Sequence, residues 1–346
     1  MSIHVLQLGP YPPPEGGITQ NMLAIRDRLL MRGDRCSIVA TSKSTRVVEE
    51  PDVHYPRSAT ELISLIRKID HDVLHLHVGG DITRRVLSLM LAASTLGKRP
   101  VLSFHSGGYS TTPEAIKAKP NSARGRIFGQ FSRIVPVNEE LADVFGRYGV
   151  PEGKIAVIAP FALTPPDPSV ELRGDIAAFA ESHSPLLLSV GGLEPDYEPL
   201  FLIDAMERML AEHPNAGLMI VGGGSMKGEA EAAATNGGYT NAICLAGDLP
   251  HAQTLDLISR ADAMLRITLF DGDAISVREA LFVGTPVIAT DNGMRPGGVR
   301  LIPNGDTQAL VRNITDVLSQ PLERPQTLVP DYSNIDKVLA LYDELL

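Results

Sequence analysis

Two carboxylates, Asp271 and Glu279, are separated by seven residues in the run Asp271-Gly272-Asp273-Ala274-Ile275-Ser276-Val277-Arg278-Glu279-Ala280-Leu281. An apolar segment ends near Ile267, so Asp271 falls on the loop after a strand and a helix begins near Ser276. A helix N-terminus offers unpaired amides and a partial positive charge, which suits a phosphate. Gly272, Ala274, Ile275 and Ser276 lie at that terminus. Glu279, about one turn further on, can accept two hydrogen bonds from vicinal hydroxyls such as ribose carries. Asp271 can bind hydroxyls of a sugar beyond the phosphates. The same residues would equally make a capped helix with surface carboxylates, and local chemistry alone does not separate the two readings.

Other residues could join such a site. Gly16 and Gly17 follow a strand and a proline-rich loop, where glycine lets the backbone approach a ligand closely. His105 ends an apolar strand just before Gly107-Gly108. Asn138 opens a helix directly after a strand, as an N-cap or as a site residue. Arg266 interrupts the apolar strand Ala263–Ile267, either to meet a ligand or to pair internally. Arg278 and Arg295 are further cations near the acidic run. Gly222-Gly223-Gly224-Ser225 fails the dinucleotide spacing, because the third glycine would fall at Lys227. It reads as a plain strand-to-helix turn.

These groups need a scaffold, and the chain supplies an alternating one. Short apolar runs at Ile3–Leu8, Ser37–Ala40, Val73–Val78, Val101–His105, Ile134–Asn138 and Ile155–Ile158 alternate with helical patterns. A proline cluster from Pro160 to Pro168 follows. A second series runs through Leu186–Gly191, Leu218–Val221, Ile243–Ala246, Ala263–Ile267 and Val287–Thr290. Alternation of this kind predicts two doubly wound α/β domains with parallel sheets and helices on both faces. The expected boundaries are residues 1–165, 166–328 and a final helical segment 329–346. Ligands of such domains bind outside the carboxyl ends of the strands.

Composition excludes several classes. A length of 346 residues suits two domains at roughly 100–200 residues each. With 31 basic and 41 acidic residues the net charge is −10, the wrong sign for a nucleic-acid binder. Two distant cysteines, Cys36 and Cys244, make neither a disulfide framework nor a zinc spacing. No metal-ligand cluster stands out. The N-terminus lacks the pattern of a signal peptide, and no apolar run is long enough to span a bilayer, so a cytoplasmic location is expected. One segment opposes the bulk charge. Residues 115–138 carry Lys117, Lys119, Arg124, Arg126 and Arg133 and no acid. This is a solvated basic face, or a contact for an anionic membrane surface or a lipid pyrophosphate.

Asp271 and Glu279 with their spacing, then Glu279-Ala280-Leu281, Gly284, Pro286-Val287-Ile288-Ala289 and Asp291, resemble the Glu-x7-Glu region of retaining glycosyltransferases of family 4 (glycosyl transferases group 1). The resemblance implies a GT-B-like fold of two Rossmann-like domains, a nucleotide-sugar donor (UDP- or GDP-linked) in the second domain, and a last helix that returns to the first. It implies Glu279 on the donor ribose, Asp271 and His105 at the donor sugar, and Gly16 and Gly17 near its phosphates. Acceptors would be a glycan, a lipid-linked sugar or a small molecule, in polysaccharide or glycoconjugate synthesis. The pattern departs at Asp271, Asp273 and Ala274. It also departs at Gly191-Gly192 to Tyr197, where Gly192 and Tyr197 replace an Arg and a Lys that meet the diphosphate. Arg266, Arg278 or Arg295 would have to compensate. Two other readings share the architecture: a noncatalytic binding homologue, and a nucleotide-sugar epimerase.

Overall fold

The computed structural model describes residues 2–11, 16–42, 50–269 and 274–346. Asp271 and Gly272, together with Pro12–Glu15 and Asp273, lie outside the described residues. The chain divides into two compact units, Met1–Ala162 joined by Asp331–Leu346, and Leu163–Pro330.

Among the described residues each unit holds one six-stranded sheet. The first is built from β1 (His4–Gly9), β2 (Arg35–Ala40), β3 (Val53–His54), β4 (Val73–Val78), β5 (Val101–Phe104) and β6 (Arg133–Pro136), in the order β3-β2-β1-β4-β5-β6. Its helices are α1 (Gly17–Met31), α2 (Ala59–Lys68), α3 (Arg84–Leu96), α4 (Pro113–Ile116), α5 (Ala123–Phe128) and α6 (Glu139–Arg147). The second sheet is built from β7 (Leu186–Val190), β8 (Gly217–Val221), β9 (Ile243–Gly247), β10 (Ala263–Arg266), β11 (Val287–Thr290) and β12 (Arg300–Ile302), in the order β12-β11-β10-β7-β8-β9. Its helices are α7 (Gly174–Ser182), α8 (Pro199–Glu212), α9 (Lys227–Asn236), α10 (His251–Arg260), α11 (Ile275–Val283) and α12 (Thr307–Leu318). A last helix, α13 (Ser333–Leu345), belongs to the first unit.

Every strand pairing within the two sheets is parallel, which forces a crossover between neighbours and puts helices on both faces. The two doubly wound α/β units expected from the sequence are therefore present. Strand order reverses at β1/β4 in the first unit and at β7/β10 in the second. Such switch points open a crevice at the strands' carboxyl ends. The expected strand Ile155–Ile158 is instead a single bridge from Ile155 to Ile134, so it does not extend the sheet.

Side-chain alternation sorts the first sheet. Leu74, Leu76 and Val78 of β4 join one core, with Leu6 and Leu8. Val73 faces the other way, into a core with Val5, Ile38, Met22, Ile25, Leu29 and the apolar stripe of α13. That stripe is Ile335, Val338, Leu339 and Tyr342, spaced to line one helix face. At about 1.5–3 kcal/mol per buried large side chain, it docks α13 firmly onto the first unit. Arg28 reaches Asp336 at 2.6 Å and Arg32 reaches Asp343 at 2.8 Å across the rim of α1 and α13. Among the described residues, no helix is long and apolar enough to cross a membrane.

Candidate functional site

In the second unit the site is built from the carboxyl end of β10 outward. Arg266 is the last residue of β10 and only 7% exposed. A buried guanidinium needs partners. Its carbon lies 5.0 Å above the ring of Tyr197, a cation–π stack, and Nη1 donates to the carbonyl of Val190 at the end of β7. Gly191 makes the stack possible, since a Cβ there would lie 2.5 Å from Cδ1 of Tyr197 and 3.1 Å from Nη1 of Arg266. Gly192 follows, facing the carbonyl of Gly223. Tyr197 thus occupies a position where the resembled pattern has a cation and holds another cation under its ring.

Arg295 takes the other flank of β10. It donates from Nε to the carbonyl of Thr290 at 3.0 Å and from Nη2 to Oγ1 of Thr268 at 2.7 Å. Thr290 in turn donates to the carbonyl of Thr268 at 2.7 Å, so β10 and β11 are tied together where they end. Two arginines therefore stand at one edge of the sheet. Arg278 is half-buried on α11.

Helix α11 begins at Ile275, with Ala274 as N-cap and Ser276 buried in the first turn. Ala274 has no side chain to cap the helix. Glu279 is 3% exposed, and its Oε1 lies 2.6 Å from Nε2 of His251, the first residue of α10. His251 carried no signal of its own in the sequence beyond its place at a helix start after β9.

The turn Gly222–Ser225 is closed by acids. The amide of Gly223 donates to Oδ1 of Asp248 at 2.8 Å, and that of Ser225 to Oε1 of Glu194 at 2.8 Å. The Ser225 hydroxyl and then its amide hold the Glu194 carboxyl below the usual carboxylate range. These bonds also fix the turn as a structural one.

In the first unit, Gly16 precedes α1 as its N-cap and Gly17 opens it. Both are exposed, and a Cβ at either would meet nothing within 4 Å, so packing does not demand glycine there. His105 follows β5, and behind it lies a file of buried polar groups on one face of the sheet. Nε2 of His105 lies 3.3 Å from Nδ1 of His77, whose Nε2 lies 3.0 Å from Oε1 of Gln7. Gln7 donates to the carbonyl of Met22 at 2.9 Å and to Sγ of Cys36 at 3.2 Å. His75 sits beside them, 2.6 Å from the Tyr342 hydroxyl and 2.8 Å from that of Ser103. Burial pushes His105 down to about 4. Burial, aided by His105, pushes His75 down to about 3. His77 falls well below its ordinary value for the same first cause, with His75 and His105 adding to it. All three rings are neutral at pH 7.

His77 and Gln7 escaped the sequence reading. Their trace was the alternation of His75 and His77 with Leu74, Leu76 and Val78 in β4, which puts both histidines on one face. Asn138 caps α6, accepting from the amide of Leu141 at 2.9 Å. Of the basic segment, Lys117, Lys119 and Arg126 are exposed. Arg124 donates to the carbonyl of Ile82 at 3.2 Å, and Arg133 pairs with Glu344 at 3.3 Å.

Two doubly wound parallel sheets in tandem, with the last helix returned to the first, define the GT-B class. Residues 176–330 match the family model for glycosyl transferases group 1, and residues 15–162 match that for glycosyltransferase family 4. Among solved structures, HepE of Anabaena in complex with UDP and glucose is similar at 16% identity, TM-score 0.71, over 99% of this chain and 100% of that one. Sucrose-phosphate synthase of Thermosynechococcus elongatus is similar at 16% identity, TM-score 0.70, over 99% of each chain. An enzyme described as a putative UDP-N-acetylglucosamine 2-epimerase from Listeria monocytogenes is similar at 15% identity, TM-score 0.66, over 99% of this chain and 96% of that one. The chain belongs to the GT-B-fold glycosyltransferases related to these two families.

Proposed function

We propose that the protein is a retaining hexosyltransferase that takes its sugar from a nucleotide-sugar donor and needs no metal. The observation that carries this reading is Glu279. It is a buried carboxylate one turn into α11, the helix that follows the strand ending at Arg266, and it is held at 2.6 Å by His251. A carboxylate so placed accepts from vicinal hydroxyls of a ribose, while the start of α11 at Ala274, Ile275 and Ser276 suits phosphate oxygens. HepE, similar in fold, is described with UDP and glucose. UDP is the nucleotide we propose here.

Catalysis then rests on positioning the donor and stabilising the leaving diphosphate. Arg266 and Arg295 supply the positive charge in place of the pair missing at Gly192 and Tyr197, with Arg278 as a further cation. Asp271 and His105 serve the donor sugar. Gly16 and Gly17 are assigned to the donor phosphates on the family resemblance alone. The acceptor is a glycan, a lipid-linked sugar or a small molecule, and Lys117, Lys119 and Arg126 are exposed enough to meet an anionic membrane.

The test is a titration of UDP-, GDP- and ADP-sugars by ligand-observed NMR against wild type and Glu279→Ala. Binding to wild type and its loss in the variant support the site. Equal binding to both sinks it. The absence of the usual cations at Gly192 and Tyr197 favours one second reading, a noncatalytic homologue that binds without turnover. Release of sugar from the donor by purified protein rules that out, and isomerised donor formed without acceptor would instead identify an epimerase.

A further inference from the structure

The buried file Met22, Gln7, His77 and His105 has a direction, and one atom sets it. The carbonyl oxygen of Met22 can only accept a hydrogen bond. The Gln7 atom 2.9 Å from it is therefore the amide nitrogen, and the other end of the Gln7 amide is an acceptor. Nε2 of His77, 3.0 Å from that oxygen, must then carry the hydrogen. A neutral imidazole has one hydrogen, so Nδ1 of His77 is a lone pair. That lone pair faces Nε2 of His105 at 3.3 Å, which must donate to it. The hydrogen of the His105 ring is used there. Its Nδ1 is left as a lone pair, and no described residue donates to it.

The alternative needs a second proton on His77. Then His77 would donate from Nδ1, and His105 would turn round, with its hydrogen on Nδ1. His77 is 1% exposed, and the titratable groups that act on it are His75 and His105, both of which disfavour its charge. Cys36, bonded to Gln7, is held as a thiol by burial, so it adds no negative charge. The ring stays neutral and the direction of the file holds.

We infer that His77 and Gln7 are positioning residues that fix His105 in its Nε2–H tautomer, so that the ring meets a ligand as a hydrogen-bond acceptor through Nδ1. This rests on the reading of His105 as a sugar-site residue. It sharpens that reading to a chemical class: the group opposite Nδ1 is a hydroxyl or another uncharged donor, and a carboxylate there would meet a lone pair. His105 is also no general acid in this arrangement, because its hydrogen points into the sheet.

The test reads the tautomer directly and does not depend on turnover. Long-range 1H–15N correlation spectra of 15N-histidine-labelled protein at pH 7, assigned with His105→Asn and His77→Asn, distinguish Nε2–H, Nδ1–H and imidazolium forms. The expected result is Nε2–H at both His77 and His105. An Nδ1–H or doubly protonated His105 would overturn the inference while leaving the donor-binding reading intact. In His77→Phe, which keeps a ring but removes the acceptor, the His105 signals are expected to move to an averaged position between tautomers. An unchanged single tautomer would show that His77 does not set it. Should that variant fail to fold, Gln7→Leu gives the same reading one step back, with averaging now expected at His77, and the wild-type spectrum still decides the direction of the file.

Discussion

Lowering the pH from 7.5 to 5.5 is expected to destabilise the first unit while the carboxylates are still ionised. His75, His77 and His105 are neutral when folded, and burial holds each of them below the ordinary histidine value. Unfolding releases them to about 6.5, so below that pH the unfolded chain binds more protons than the folded one. Stability is therefore full above pH 6.5, falls as the pH drops below it, and stops falling near the folded values, about 4 for His105 and about 3 for His75. At pH 5.5 each such histidine costs about 1.4 kcal/mol, and the three together about 4 kcal/mol. That is a large share of a typical domain's 5–15 kcal/mol.

The chain carries its own reporters for this. It has no tryptophan and two cysteines, Cys36 in the first unit beside Gln7 and Cys244 in the second. Urea exposure followed by quantitative thiol labelling reads the two units separately. With a urea slope of about 2 kcal/mol per molar, the midpoint for Cys36 should fall by roughly 2 M between pH 7.5 and 5.5. An unchanged Cys36 midpoint over this range would refute the reasoning. So would a decline confined to pH below about 4.5, which would assign the effect to carboxylates.

Four further outcomes follow from the geometry. Arg266→Lys keeps the charge but loses the planar stack on Tyr197 and should weaken donor binding roughly tenfold in a calorimetric titration. Glu279→Gln leaves the side chain's size but turns one acceptor into a donor beside His251, and should weaken nucleotide-sugar binding about 10- to 100-fold, against no change for nucleotide-free stability of the first unit. Gly284→Ala should cost about 2 kcal/mol in thermal unfolding, because φ is +79° there and a Cβ would lie 2.7 Å from Cδ of Pro325. Tyr342→Phe strips His75 of a partner at 2.6 Å and should cost about 1–3 kcal/mol, read at Cys36 and not at Cys244.

Much of the scaffold was legible because each strand carries its own apolar run. Val73–Val78 and Val287–Thr290 have the bounds the pattern predicts. The edge strands β3 and β12 were missed because two or three residues are too few to show a period. Helix α7 was missed as well, lying straight after the proline cluster. At the site, Arg266 announced itself by breaking an apolar strand, but nothing local tied it to Tyr197. That contact depends on two strand ends meeting and on the space left by Gly191. The same holds for Gln7 with His77 and for His251 with Glu279, pairs 70 and 28 residues apart that only the parallel sheets and their crossover helices bring together.

The return of α13 to the first unit has a consequence for how the chain is made. The core beneath α1 is lined in part by Ile335, Val338, Leu339, Leu341 and Tyr342, all synthesised after the whole of Leu163–Pro330. A nascent chain therefore emerges with its first sheet open on one face and His75 lacking its tyrosine. The second unit, contiguous in sequence, can close first. The order of completion is the reverse of the order of synthesis, and chains stalled before residue 331 would expose that apolar face to chaperones and proteases.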